Sequence, residues 1–356
     1  MRKYKESLIK NLQENSKFQK DNGVVFEIKP IPEIEKKEGM DPRMLEAAKQ
    51  KIINLSEDFS VETFQLHEER YRLDKINYDL TTAIIKKKQQ LVKVKQHYIN
   101  TFFYRPEKAK GKLPVILFVH GGAFMTGNHM QYENQCRLLA EKANALVVFP
   151  EYRLAPENPF PAGLEDVLNI LYWINEQNEK LQVDRDKIIL AGDSAGASII
   201  NGCALMDEKK IIRMMFEIYP CCDTNIIGNG VYSWNESYYQ ILEEEKEYVR
   251  SRMNRLKRAC QGIVEFYQGA EDGKNPLISA VYQEDFSEFP PISIAIGEYD
   301  FLRVSADIFA KKCMEAGKLK RAIRYQGCDH GFFDMLGIMP QAEDIILEIA
   351  KEIHRL

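Results

Sequence analysis

The sequence predicts an α/β protein built on one mostly parallel sheet, and three observations carry that expectation. From about residue 80 onward, short strand-like runs alternate with helix-length segments through short connections, the pattern of a parallel sheet flanked by helices. Six of the runs are dense in β-branched and aromatic residues, as strands covered on both faces are. Two glycine-rich turns, Gly121-Gly122 and Gly192 to Gly196, directly follow two of these runs, where such a sheet places its ligands.

The elements are taken in chain order. Residues 1–75 are charged and helix-prone, with Pro30, Pro32 and Pro42 as breakers. Asp41-Pro42 reads as an N-cap followed by proline at the first helical position. Met44, Leu45, Ala48, Ile52 and Ile53 recur at helical spacing behind it, which predicts a helix over 41–55. Strands are expected at 82–85 and 97–104, antiparallel at an edge, where Lys86, Lys87 and Lys88 discourage edge-to-edge association. The six covered strands are expected at 115–120, 145–150, 187–191, 214–219, 292–296 and 321–325. Helices are expected at 132–142, 163–178, 195–206, 304–316 and 341–354. One connection breaks the rhythm. Between Tyr219 and Ile292 lie Tyr232, Trp234, Tyr238, Tyr239 and a helical run over 242–260, the length and content of a lid or binding element. Its aromatics either line a substrate entrance or pack a small core of their own.

Composition narrows the function classes. With 356 residues, 45% hydrophobic and 29% charged, the chain has the balance of a soluble globular protein with a sizeable core. Its 49 Lys+Arg against 53 Asp+Glu give a net charge of -4, which argues against a nucleic-acid partner. No apolar run has membrane-spanning length, and no apolar h-region follows the basic N-terminus. The seven cysteines are scattered and form no C-x-x-C pair, so neither a disulfide framework nor a metal site is expected. Reduced thiols in a cytoplasmic protein are the expectation.

Three motifs carry chemistry. Gly192-Asp193-Ser194-Ala195-Gly196 is a G-x-S-x-G between a strand and a helix. Its glycines permit a sharp turn that lifts the Ser194 hydroxyl above the sheet at a helix N-terminus. His120-Gly121-Gly122-Ala123-Phe124 ends another strand and exposes backbone N–H groups where a reacting carbonyl could sit. The N–H groups of Gly121, Gly122 and Ala195 are therefore the expected oxyanion donors, with His120 a structural hydrogen-bonder. The third element is a pair, Asp300 and His330, each at the carboxyl end of a late strand. A neutral His330 can take the Ser194 proton, and a carboxylate can fix its tautomer. The order Ser194, Asp300, His330 suits an elbow of this kind. Glu298, Asp307 and Asp329 are the rival acids, one on the wrong side of a turn, one inside a helix, one adjacent to His330.

The same residues resemble the hormone-sensitive-lipase-like esterases, bacterial lipolytic family IV of the α/β-hydrolases. The resemblance rests on His120 to Phe124, Tyr152-Arg153-Leu154-Ala155-Pro156-Glu157 with Pro159-Phe160-Pro161 and Leu164-Glu165-Asp166, Gly192 to Gly196, Gly297 to Leu302, and His330-Gly331-Phe332. These span roughly residues 80–356 in family order. The resemblance implies an α/β-hydrolase with a Ser194, Asp300 and His330 triad. It also implies a helical cap, built from an N-terminal segment at 1–75 and an insertion near 222–275 in a catalytic domain at 76–356. Two departures stand out: Ala123 replaces a third glycine, and Val304 replaces a second acidic residue.

The expected function is a serine carboxylesterase acting on short acyl esters, acetyl to butyryl, with no metal or organic cofactor. Phe124, Met125 and Phe332 adjoin the expected catalytic residues and are the candidate substrate contacts. The partner is then a small-molecule ester; dimers occur in the family, so a homodimer is compatible with the resemblance. Two alternatives share the fold: an amidase or peptidase with the same triad, and a non-catalytic small-ligand receptor such as the related gibberellin receptors, which have lost the histidine.

Overall fold

The computed structural model describes residues 1–33, 38–50, 65–71, 76–225 and 227–356. Its strands are β1 (Lys17–Asp21), β2 (Val24–Lys29), β3 (Ile85–Val94), β4 (His97–Pro106), β5 (Leu113–Val119), β6 (Leu146–Pro150), β7 (Val183–Asp193), β8 (Met214–Ile218), β9 (Ile292–Gly297) and β10 (Leu319–Tyr325). They form a single ten-stranded sheet in the order β1-β2-β10-β9-β8-β7-β5-β6-β4-β3. Every neighbouring pair from β2 to β6 is parallel, and β1, β4 and β3 run antiparallel to their neighbours at the two edges. The helices are α1 (Ser7–Glu14), α2 (Pro42–Lys49), α3 (Leu66–Arg70), α4 (His129–Ala143), α5 (Ala162–Glu176), α6 (Asn178–Leu181), α7 (Ala195–Met206), α8 (Lys246–Gly262), α9 (Arg303–Glu315) and α10 (Pro340–His354).

Crossover handedness assigns the helices to layers. The β5–α4–β6 connection moves toward the β3 edge, whereas β6–α5–β7, β7–α7–β8 and β9–α9–β10 move the other way. Right-handed crossovers then put α4 on one face and α5, α7 and α9 on the other. The helix α10 packs against α4, and α1 packs on α10. Covered on both faces, β5 to β9 are almost wholly apolar inside, from Val115 to Val119 and from Ile188 to Ala191. The strand order reverses beside β5 and β7, where Val119 pairs with Gly192. Two loops therefore leave the sheet side by side at its carboxyl edge, the usual place for a ligand site.

Local chemistry sets the element ends. Asn128 caps α4, its side chain accepting from the N–H of Met130 at 3.0 Å, and left-handed Asn144 closes it. Pro42 and Pro340 open α2 and α10, and Asp41 caps α2 through the N–H of Arg43 at 2.9 Å. Of the helix expected over 41–55, the part to Lys49 is present, while Ile52 and Ile53 lie outside the described residues.

Two expectations need correction. Residues 17–29 are not helical cap: they form the β1–β2 hairpin, and β2 lies parallel to β10, with Phe26 beside Ala322. The turn is Asn22-Gly23, both at positive φ, a strong short hairpin signal in the sequence. Val24 and Phe26 alternate inward, and Lys29 is buried against Glu348 at 2.9 Å and Asp344 at 3.3 Å. The first edge strand begins at Ile85 and not at Thr82, so the lysines 86–88 belong to β3 itself.

The insertion between β8 and β9 carries α8 and a π-helix at Ile263–Gln268. The helix α2 packs against α8, and the N–H of Met40 donates to Glu245 at 2.6 Å. An N-terminal helix and the insertion thus meet on the carboxyl side of the sheet. Among the described residues no helix is long and apolar enough to cross a membrane.

Candidate active site

The turn after β7 is built by exclusion. A Cβ at Gly192 would stand 2.8 Å from the carbonyl carbon of Gly196, and one at Gly196 would collide with the carbonyl of Val119. Only glycine at both positions lets the strand and helix approach so closely. Ser194 between them is held at φ 52, ψ -119, a strained conformation for a residue with a side chain. Its N–H is fixed by the carbonyl of Ile218 at 2.9 Å.

His330 and Asp300 reach this serine from the ends of β10 and β9. The Nε2 of His330 lies 2.9 Å from Ser194 Oγ, and its Nδ1 lies 2.7 Å from Asp300 Oδ2. Asp300 is fully buried, and its Oδ1 accepts from the N–H of Leu302 at 2.8 Å. The two loops are tied together, since Tyr299 N–H donates to the carbonyl of Cys328 at 2.8 Å. A Cβ at Gly297 would come within 2.6 Å of the same carbonyl, so that crossing needs glycine. Burial disfavours the imidazolium of His330, but the charge and hydrogen bond of Asp300 outweigh it and hold the pKa above the ordinary 6.5.

The rival residues are engaged elsewhere. Glu298 accepts from the N–H of Gly327 at 2.9 Å, Asp307 pairs with Arg324 at 2.6 Å, and Asp329 pairs with Arg252. His97 bonds Asp166, and His129 bonds Glu151, both at 2.7 Å. His120 is buried in a stack with Tyr152, its ring bonded to the carbonyl of Gly121, in keeping with a structural part.

The Gly-Gly turn differs from expectation at one position. The N–H of Gly121 donates to Asp193 Oδ1 at 2.8 Å, so it is not free to receive a developing oxyanion as the sequence suggests. Among the described residues no acceptor is paired with the N–H of Gly122 or of Ala195. Asp193, the residue before the serine, also accepts from Tyr132 at 3.0 Å. Its importance is invisible in the motif, where it is only the variable second position.

All three expected substrate contacts, Phe124, Met125 and Phe332, are buried. Phe332 packs against Tyr219 and Tyr325, with ring centroids 5.4 and 5.2 Å away. Met125 is buried as well, its carbonyl accepting from Arg70 at 2.8 Å. Phe124 stacks face to face on Tyr267 of the π-helix at 3.7 Å, with Phe160 edge-on to the same ring at 6.0 Å. Two aromatics of the insertion, Trp234 and Tyr239, pack against the loop after β9, while Tyr238 is exposed. Trp234 donates to the carbonyl of Phe301 at 3.2 Å, and Tyr239 donates to the carbonyl of Asp300 at 2.9 Å, buttressing the acid's loop.

A doubly wound sheet with a strained serine at a strand–helix elbow, bonded through histidine to a buried carboxylate, defines the α/β-hydrolase class. Comparison with known proteins agrees. The profile of the α/β-hydrolase fold family matches residues 116–334. Carboxylesterase NlhH of Mycobacterium tuberculosis is 41% identical over 249 residues, covering 68% of this chain and 73% of that one. An arylesterase of Saccharolobus solfataricus is 24% identical over 266 residues, 74% of this chain and 82% of its own. An esterase structure from Pyrobaculum calidifontis superposes with a TM-score of 0.72 at 27% identity, over 89% of this chain and 98% of that one. The chain belongs to the α/β-hydrolase fold family, in its hormone-sensitive-lipase-like branch.

Proposed function

We propose that the protein is a serine carboxylesterase for short acyl esters, acetyl to butyryl. The observation that carries this reading is the continuous hydrogen-bonded line from Ser194 Oγ through His330 to Asp300. His330 Nε2 takes the hydroxyl proton as Ser194 attacks the acyl carbonyl, while Asp300 holds Nδ1–H and stabilises the imidazolium. The tetrahedral oxyanion rests on the N–H groups of Gly122 and Ala195, at the N-terminus of α7, whose dipole favours negative charge. The imidazolium then protonates the leaving alkoxide, and an acyl group stays on Ser194. Water, activated by the same His330, attacks the acyl-enzyme and releases the acid.

The acyl limit is read from the aromatic residue just beyond the oxyanion turn. Phe124 is backed by Tyr267 and Phe160, an aromatic wall that supports a short acyl site. Relatives named carboxylesterase and arylesterase support the ester as substrate class. Turnover of p-nitrophenyl esters of increasing chain length tests the reading. An optimum at acetate to butyrate is expected, and an optimum at octanoate or longer contradicts the acyl limit.

A further inference from the structure

A part-buried ion pair stands beside the line from Ser194 to Asp300 and takes no part in it. Asp329 immediately precedes His330 and is 2% exposed. Its carboxylate meets Arg252 of α8. The Nε of Arg252 donates to Oδ2, and Nη2 lies 3.2 Å from Oδ1. The same Nη2 reaches the backbone carbonyl of His330 at 3.4 Å. One guanidinium thus grips both the residue before the histidine and the histidine's own main chain. Paired donation of this kind fixes direction as well as distance.

The grip comes from the insertion, not from the sheet. The helix α8 rests on α2, and the N–H of Asp41 at the start of α2 donates to the carbonyl of Gly327 at 2.9 Å. The loop from Gly327 to His330 is therefore held at two points by elements outside β9 and β10. A charge buried without its partner is costly, so Arg252 and Asp329 favour the arrangement in which α8 is seated over the loop.

We propose that Arg252 is a positioning residue for His330: through Asp329 and the His330 carbonyl it keeps the imidazole aligned between Asp300 and Ser194, and so couples the seating of α8 to catalysis. This role for Arg252 rests on the esterase reading of the site. The charged and titratable groups around the His330–Asp300 pair are Asp193 at the end of β7, Tyr219 after β8, Asp329 on the histidine's own loop, and Tyr239, Arg252 and Cys260 from the insertion. Asp193 and Asp329 favour the imidazolium, and Arg252 opposes them. Arg252→Met exposes His330 to an unbalanced carboxylate, whereas Asp329→Asn exposes it to an unbalanced cation. Loss of alignment with Asp300 acts against the first of these shifts, so alignment is read from the hydrogen bond of His330 Nδ1–H to Asp300 itself.

The test tracks the His330 imidazole by NMR, its signal assigned by loss in His330→Asn, alongside kcat and KM for p-nitrophenyl butyrate. Arg252→Met is expected to weaken the low-field Nδ1–H signal of the His330–Asp300 hydrogen bond, which Arg252→Lys retains. Arg252→Met is also expected to lower kcat about tenfold with KM little changed, since alignment acts on the chemical step. A wild-type Nδ1–H signal in Arg252→Met overturns the proposal, as does an unchanged kcat in that variant. The NMR arm needs no substrate. A wild type that hydrolyses no ester would sink the esterase reading while the Nδ1–H signal still decides the role of Arg252.

Discussion

The N–H of Gly121 and the carboxylate of Asp193 are bonded across 2.8 Å, joining the turn after β5 to the residue before the nucleophile. One carboxylate thereby holds the oxyanion turn in register with Ser194, and Tyr132 holds the carboxylate in its turn. In this arrangement the N–H of Gly121 is occupied, while among the described residues no acceptor is paired with the N–H of Gly122 or Ala195.

Asp193→Ala is expected to slacken that turn and misplace the donor at Gly122. Loss of one oxyanion donor elsewhere costs about 10²–10³ in kcat, so a fall of about 10² with KM nearly unchanged is expected. Asp193→Asn keeps an acceptor for Gly121 and is expected to lose less. Steady-state kinetics on both variants checks the ranking, and equal losses would contradict it.

The acid limb of kcat/KM should lie above pH 6.5, because Asp300 raises the pKa of His330 and only the neutral imidazole serves as base. Activity is therefore lost as pH falls through that raised value and is retained above it. Asp300→Asn is expected to lower kcat by about 10⁴ through the wrong tautomer. Asp307→Asn leaves the site intact. A pH–rate profile over pH 4–9 reads the limb directly.

Tyr267→Leu should move the chain-length optimum upward. The substitution removes the face on which Phe124 lies and frees that ring to yield to a longer acyl chain. The kcat/KM for octanoyl esters is expected to rise about tenfold relative to butyryl, or about 1.4 kcal/mol of discrimination. A chain-length profile matching wild type would remove Tyr267 from the acyl site.

The N-terminal hairpin is held by charge inside the protein. Lys29 meets Glu348 and Asp344, and Arg321 meets Glu348 at 2.7 Å. Burial alone would raise the Glu348 pKa, but Lys29 and Arg321 pull it down to about 2. A depressed carboxylate contributes stability that is present above its unfolded value of about 4.5 and lost as pH falls toward about 2. Lys29→Met takes the cation from Asp344 but leaves Glu348 paired with Arg321 and Lys351, and should cost about 1–3 kcal/mol at neutral pH. It should also raise the midpoint of acid unfolding. Thermal and acid denaturation of the variant measure both.

Much of this was legible in the sequence, for physical reasons that also explain the gaps. The cores of β5 to β9 announce themselves because buried parallel strands are mostly apolar. Ser194, Asp300 and His330 could be found because each follows such a strand. The β1–β2 hairpin escaped because Lys17, Lys20 and Asp21 suggest a solvated helix, although Asn22-Gly23 marked the turn. The burial of Phe332 was not legible either: the turn at Gly331 sends its ring against Tyr219 and Tyr325. The engagement of Gly121 and the reach of Arg252 to Asp329 are contacts between distant segments, and no local pattern encodes them.

Whether Ser194 is the nucleophile of an esterase is decided by comparing hydrolysis of p-nitrophenyl butyrate by the wild type and by Ser194→Ala. Rapid turnover is expected of the wild type, with a loss on the order of 10⁶ in kcat in the folded variant. Near-wild-type turnover by Ser194→Ala would contradict the assignment.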